Sequence, residues 1–153
     1  MPEPEPEPEQ LTISDAGARY LEAVCPVNAV WDAVDIEVDH LRVAAARGDA
    51  ADTAAFAGVM HELQSASAAA EQTLGDEAVE WPAVAKGAVE RVRASLEADA
   101  GQAERVARLA ASDAASHTWE GAAAAASAAQ EARAALGLPE NARVACEEWS
   151  KTG

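Results

Sequence analysis

The sequence predicts an all-α fold, an up-and-down bundle of about four helices in one domain over residues 12–150. Apolar residues make up 50% of the 153-residue chain, and more than half of them are alanine, the strongest helix former. Aromatic residues reach only 4%, which argues against a β-sandwich core. Larger apolar residues recur every three or four positions over long stretches, as the buried face of a helix requires.

Residues 1–11 precede the predicted bundle and begin with alternating proline and glutamate. Proline fixes the backbone φ and the glutamates repel one another, so we expect an extended, solvated segment. At about 3.1 Å per residue, residues 1–10 would span roughly 25–30 Å. The composition predicts a flexible tether, with a disordered leader of no function as the alternative.

The first helix is predicted over residues 13–47. Thr12 and Asp15 have the spacing of an N-terminal capping box, and Gly48 suits the C-terminal end. Pro26 lacks a backbone N–H and should kink this helix. The main apolar face consists of Tyr20, Val24, Val27, Trp31, Val34, Val38 and Leu41.

Short loops separate the remaining predicted helices, which run over residues 50–74, 82–115 and 119–136, followed by a short helical stretch over residues 141–149. Gly75 ends the second helix and Pro82 suits the first position of the third. The fourth helix is almost entirely alanine and ends at Gly137. Short loops between neighbouring helices are typical of an antiparallel bundle.

The chain is strongly acidic, with 27 Asp and Glu against 11 Lys and Arg and a formal net charge of −16. Such a surface repels nucleic-acid phosphates and anionic lipids, so we predict no nucleic-acid partner and no direct membrane insertion. No apolar run approaches the roughly 20 residues that a membrane span needs. The acidity instead favours solubility, attraction of a cationic partner, or mimicry of DNA.

Cys25 and Cys146 are predicted to form a disulfide bond. On a helical wheel, Cys25 lies nearly opposite the main apolar face of the first helix, on a second and thinner seam. The stretch over residues 141–149, which carries Cys146, is the candidate cover for that seam. The seam itself consists of Cys25, Ala29, Ile36 and Val43.

A bond between the two cysteines would close a loop of about 120 residues and stabilise the fold by roughly 4–5 kcal/mol. It would also indicate an exported protein in an oxidising compartment. The alternative is a pair of unrelated buried thiols in a cytosolic protein.

Residues 20–28 (YLEAVCPVN) and residues 134–139 (AALGLP), with the closing Cys146, resemble the two ends of a domain found in small exported actinobacterial lipoproteins of uncharacterised role. In that family a lipid-modified cysteine precedes an acidic, proline-rich tether and an alanine-rich helical domain. The resemblance covers residues 12–146 and implies export and tethering, without implying an activity. The sequence departs from the family because it lacks the signal peptide and the lipid-bearing cysteine, and we hypothesise that Met1 replaces both.

A metal site on the first helix is the alternative hypothesis. Glu37 and His40 have the spacing used in di-iron bundles, but such sites need a second Glu-x-x-His motif, which the sequence lacks. Asp32, Asp35 and Asp39 lie three and four residues apart and could bind Ca²⁺. One rigid helix face presents too few oxygens for the roughly six to eight ligands that calcium prefers. We therefore interpret these residues as a solvated flank and predict no metal site.

No catalytic motif is evident. The sequence has no phosphate-binding loop, zinc pattern or dinucleotide fingerprint. Nothing indicates that Ser112, Asp113 and His117 converge beside an oxyanion hole. Trp119 begins a Trp-Glu-Gly sequence similar to that of WXG hairpin proteins, but the C-terminal tyrosine motif of that family is missing, so we interpret Trp119 as a core anchor.

We therefore predict a non-enzymatic protein without a cofactor, located outside the cytoplasm and either secreted or tethered by a lipid anchor. It would act as a binding or structural module for an unknown protein or cell-envelope partner. Two alternatives stay open. One is a metal-binding bundle that uses Glu37, His40 and the nearby aspartates. The other is an acidic cytosolic interaction protein that mimics DNA.

Overall fold

A computed structural model describes residues 3–152 and confirms the predicted all-α fold. These residues form six α-helices and two very short β-strands. In chain order the elements are β1 (Glu9–Gln10), α1 (Ile13–Arg47), α2 (Thr53–Leu74), β2 (Val79–Glu80), α3 (Ala83–Val106), α4 (Ala111–Ser116), α5 (Ala122–Ala135) and α6 (Ala142–Thr152).

Helix α1 has the predicted bounds at both ends. The Thr12 hydroxyl accepts a hydrogen bond from the backbone N–H of Asp15 at 3.1 Å and closes the N-terminus. Gly48 adopts the left-handed conformation, with φ 70°, and its N–H donates to the Ala45 carbonyl at 3.2 Å. Pro26 lies inside the helix. The predicted apolar face is buried or half-buried along its whole length.

The helix predicted over residues 82–115 is divided in the structure. Helix α3 ends at Val106, and the short α4 follows after a turn over residues 107–110. The next helix begins at Ala122 instead of residue 119, because Gly121 has φ 81° and Trp119 turns inward. Side chains of α3 bond to residues 117–120 and replace the backbone hydrogen bonds that a continuing helix would make.

The second helix starts at Thr53, three residues later than predicted, since the Asp52 carboxylate accepts hydrogen bonds from the N–H groups of Ala54 and Ala55. Helix α2 packs between α1 and α3, and α5 packs on the other side of α3. The fourth side of the bundle, between α1 and α5, is the loosest, with few close backbone approaches.

Residues 9–11, predicted as part of the flexible tether, are paired with the connection between α2 and α3. Strand β1 lies parallel to β2, and the Leu11 N–H donates to the Glu80 carbonyl at 3.0 Å. The Leu11 side chain is half-buried against the core. Residues 3–8 are exposed and without regular structure, so regular structure in the described residues begins at Glu9.

The Cys25–Cys146 disulfide is present, with Cα atoms 5.6 Å apart, and it joins α1 to α6. Ala145 of α6 is buried against the bundle. Helix α6 covers the second apolar seam of α1 only near Cys25. Ile36 and Val43 on that seam remain 56% and 39% exposed. Among the described helices, none is both long and apolar enough to cross a bilayer.

Replacing both cysteines by alanine is expected to lower the free energy of unfolding by about 4 kcal/mol, because the bond closes a long loop in the unfolded chain. Chemical denaturation followed by circular dichroism measures the change. Reductant should bring the wild-type protein to the level of the double variant and leave that variant unaffected. An unchanged transition would show that the bond contributes nothing to stability.

Candidate functional site

A cleft of about 280 Å³ lies between α1 and α5, and residues of α3 line it as well. Helix α5 is rich in alanine, and its small side chains leave space opposite the larger residues of α1 and α3. Ala142, at the start of α6, borders the same cleft. The apolar lining includes Val24, Val27, Trp31, Val92, Leu96 and Ala129.

Polar side chains lie toward the two ends of this lining. Tyr20 and Arg133 lie at one end, close to the start of α1. Asp99 lies at the other end, next to the pair formed by Trp31 and Trp119. Eleven residues of helix separate Tyr20 from Trp31, or about 16 Å at 1.5 Å per residue. The cleft is therefore largely apolar, with a carboxyl group toward one end and a guanidinium toward the other.

Asp99 is held in place by Trp119. It is 9% exposed, and its Oδ1 accepts a hydrogen bond from Trp119 Nε1 at 2.9 Å. Burial raises the pKa of this carboxyl, while the hydrogen bond from Trp119 acts in the opposite direction. The Trp119 ring meets Trp31 edge to face, with ring centroids 4.8 Å apart. The carboxyl group thus lies beside two indoles.

Gln102 of α3 fixes the turn that carries Trp119. Its side chain is buried, its Oε1 accepts from the Glu120 N–H at 2.9 Å, and its Nε2 donates to the Glu120 carbonyl at 3.1 Å. His117 Nε2 lies 2.9 Å from the same Oε1, so this ring nitrogen carries the proton. These bonds hold residues 117–120 in the conformation that directs Trp119 toward Asp99.

At the opposite end, Tyr20 is almost fully buried, and this burial raises its pKa to about 12. The Arg133 guanidinium beside it opposes the shift. Arg133 Nε donates to the Glu140 carbonyl at 2.9 Å, which anchors the side chain to the loop before α6. Within residues 3–152 Arg133 forms no ion pair.

The metal-site candidates on α1 lie outside this cleft. Glu37 Oε2 is 3.4 Å from His40 Nδ1, and Asp32 forms an exposed ion pair of 3.6 Å with Arg143 of α6. The remaining candidates, Asp35 and Asp39, are exposed. In the part of the chain that the structure describes, no three His, Cys, Asp or Glu side chains gather as metal ligands would.

The other candidate residues are also separated from the cleft. Ser112 and Asp113 are exposed on α4, whereas His117 bonds to Gln102, so these three side chains form no triad. The two cysteines border a different groove, between α1 and α6. Trp119 is half-buried and contacts the core, as expected of a core anchor.

Asp99 was not predicted as a site residue from the sequence, although its spacing from the apolar residues of α3 indicates a buried position. Val92, Leu96, Ala103 and Val106 lie on the buried face of α3, and Asp99 occupies a position in the same repeat. An acidic residue at a core position is uncommon and is a reason to look for a partner. No comparable pattern marks Ser95 or Arg133, since polar residues are common on exposed helix faces.

Comparison with protein-family models, curated proteins and solved structures finds no match to this chain. The fold and the cleft define the class of the protein as a disulfide-linked helical bundle with an apolar cleft that is polar at both ends. The disulfide is consistent with an extracytoplasmic location.

Asp99→Asn is expected to stabilise the fold at about pH 7. Asparagine retains an oxygen for the Trp119 N–H but removes a charge that burial disfavours. Burial raises the pKa of Asp99 in the folded state, so burying its charged form costs free energy of folding. In the wild type this cost is absent below the unfolded pKa of about 3.9 and develops as the pH rises through the folded value. Thermal denaturation should show a higher Tm for the variant near pH 7, with the difference lost near pH 3.

Glu97→Gln is the matched control, since Glu97 is an exposed carboxylate on the same helix. It removes the same charge without relieving a buried group and should leave the Tm nearly unchanged. A lower Tm for Asp99→Asn near neutral pH would contradict the assignment of Asp99 as a destabilising buried acid.

Proposed function

We propose that this protein is a non-catalytic extracytoplasmic binding module, secreted or tethered to the cell envelope, that holds a small and largely apolar ligand in the cleft between α1, α3 and α5. One observation carries the proposal. Ala142 of α6 borders the cleft, and Cys146, one helical turn further on, is bonded to Cys25. The disulfide therefore fixes one border of the cleft.

The size and lining of the cleft support ligand binding. An apolar cavity of about 150 Å³ in another protein holds benzene, and this cleft has nearly twice that volume, about 280 Å³. Binding sites for small molecules are mostly apolar, with a few polar groups that orient the ligand. Asp99 and Arg133 provide such groups at opposite ends.

The bonding of the polar residues favours binding over catalysis. The Ser95 hydroxyl donates to the Val92 carbonyl of its own helix at 2.7 Å, so it is used by the backbone and not activated by a base. Asn28 Nδ2 lies 3.6 Å from the Cys146 sulfur and helps to hold α6. Both side chains border the cleft, but their bonds are to the protein itself.

Three features support a location outside the cytoplasm. The bond that fixes the cleft border is of the kind that oxidising compartments maintain. The proline- and glutamate-rich residues 3–8 are exposed and would span about 18 Å when extended, enough for a short spacer. The resemblance of residues 20–28 and 134–139 to exported actinobacterial lipoproteins agrees with tethering at the envelope.

Protein isolated from its native host is expected to contain the intact Cys25–Cys146 bond. The protein would be alkylated during lysis without reductant, and its intact mass would show no modified cysteine. Two alkylated thiols would contradict the extracytoplasmic location, whatever the outcome for ligand binding.

Binding in the cleft is tested with three six-carbon probes, n-hexylammonium, n-hexanol and hexanoate, titrated into the oxidised protein. At least one should bind saturably with 1:1 stoichiometry in calorimetry and shift the indole N–H resonances of Trp31 and Trp119. Ala126→Trp, on the cleft side of α5, should weaken binding by about tenfold or more by filling the space.

Ala134→Trp is the matched control, because Ala134 is an exposed alanine of the same helix outside the cleft lining. It should leave binding unchanged. If no probe binds, or if both tryptophan variants weaken binding equally, the proposed cleft function is rejected.

A further inference from the structure

We propose that the cleft selects a small organic cation, an ammonium group on an apolar body, with the ammonium at Asp99 and the apolar part along Val27 and Leu96. This proposal rests on the ligand-binding function proposed above and names the class of ligand for the same site. Four features of the cleft lead to it.

The first feature is the bonding of Asp99. Its Oδ1 is used by Trp119, and within residues 3–152 no Lys, Arg or His forms an ion pair with it. Buried carboxylates are ordinarily paired with a cation, because taking an isolated charge out of water costs several kcal/mol. Asp99 borders the cleft, so a bound ammonium would provide the missing opposite charge.

The second feature is the aromatic surroundings of Asp99. Trp31 borders the cleft at the same end, in edge-to-face contact with Trp119. Tryptophan has the most favourable ring for a cation, and the attraction grows where water is excluded. A carboxylate next to an indole is a combination suited to an ammonium group.

The third feature is the sign of the surrounding charge. The chain carries a formal net charge of −16, which concentrates cations near its surface and repels anions. Among the described residues that border the cleft, Arg133 is the one basic residue. It lies at the far end from Asp99, beside Tyr20, and it is bonded to the Glu140 carbonyl. A ligand cation would therefore be directed to the Asp99 end.

The fourth feature is the effect of burial on the Asp99 carboxyl. Burial raises the pKa of its carboxyl, which means that the charged form is disfavoured in the folded protein. A bound cation would remove this penalty. Replacement of Asp99 by asparagine should consequently have opposite effects on stability and on cation binding.

The experiment compares the dissociation constants of n-hexylammonium and n-hexanol for the wild-type protein, Asp99→Asn and Glu97→Gln. The wild type should bind the ammonium at least about tenfold more tightly than the alcohol of equal chain length. Asp99→Asn should lose that preference while its Tm stays equal or rises. Glu97→Gln removes the same formal charge from the exposed face of α3 and should keep the preference.

Equal binding of the ammonium and the alcohol by the wild type would overturn the proposal, and so would tighter binding of hexanoate. Loss of the preference in both variants would also overturn it, because general attraction to an acidic surface would then explain the result. In all three outcomes the cleft still binds an apolar ligand, and the proposed binding function survives. Failure of all three probes to bind rejects both proposals.

Discussion

The bond between Cys25 and Cys146 determines where the last helix lies, and with it one border of the cleft. Helix α6 is short, packs mainly on α1 and buries little apolar surface of its own. A helix of this length is marginal without tertiary support. The covalent link provides that support at Cys146, one turn from Ala142 at the cleft. The position of α6 at the cleft and the redox state of the two cysteines are thus connected through a single bond.

Polar side chains of α3 determine the opposite end of the cleft. Gln102 satisfies both backbone groups of Glu120, and Asp99 accepts the Trp119 N–H. Together they fix a turn that local sequence alone would not form. The same arrangement buries the Asp99 carboxyl, and this burial raises its pKa.

The spacing of the apolar residues and the residues typical of helix ends were sufficient to predict the bundle, the bounds of α1 and the disulfide. Each of these depends on local spacing or on one helix face. The end of α3 near Val106 was not predicted, since residues 107–116 are themselves good helix formers. The bonds from Gln102 to His117 and Glu120 join residues 15 and 18 positions apart, which no local pattern connects. The pairing of β1 with β2 joins segments about seventy residues apart and leaves no local signal. The cleft depends on the distance between α1 and α5, and no pattern of residues in the sequence predicts that distance.

The pairing of β1 with β2 also fixes the point at which residues 3–8 leave the bundle. The leader leaves the bundle beside the start of α1, and the Arg133 end of the cleft is the end nearer to that point. Trp31 lies eighteen residues beyond Ile13, about 27 Å along the helix axis. In a molecule attached to a surface through residues 3–8, the guanidinium end of the cleft would lie nearer the point of attachment than the carboxyl end.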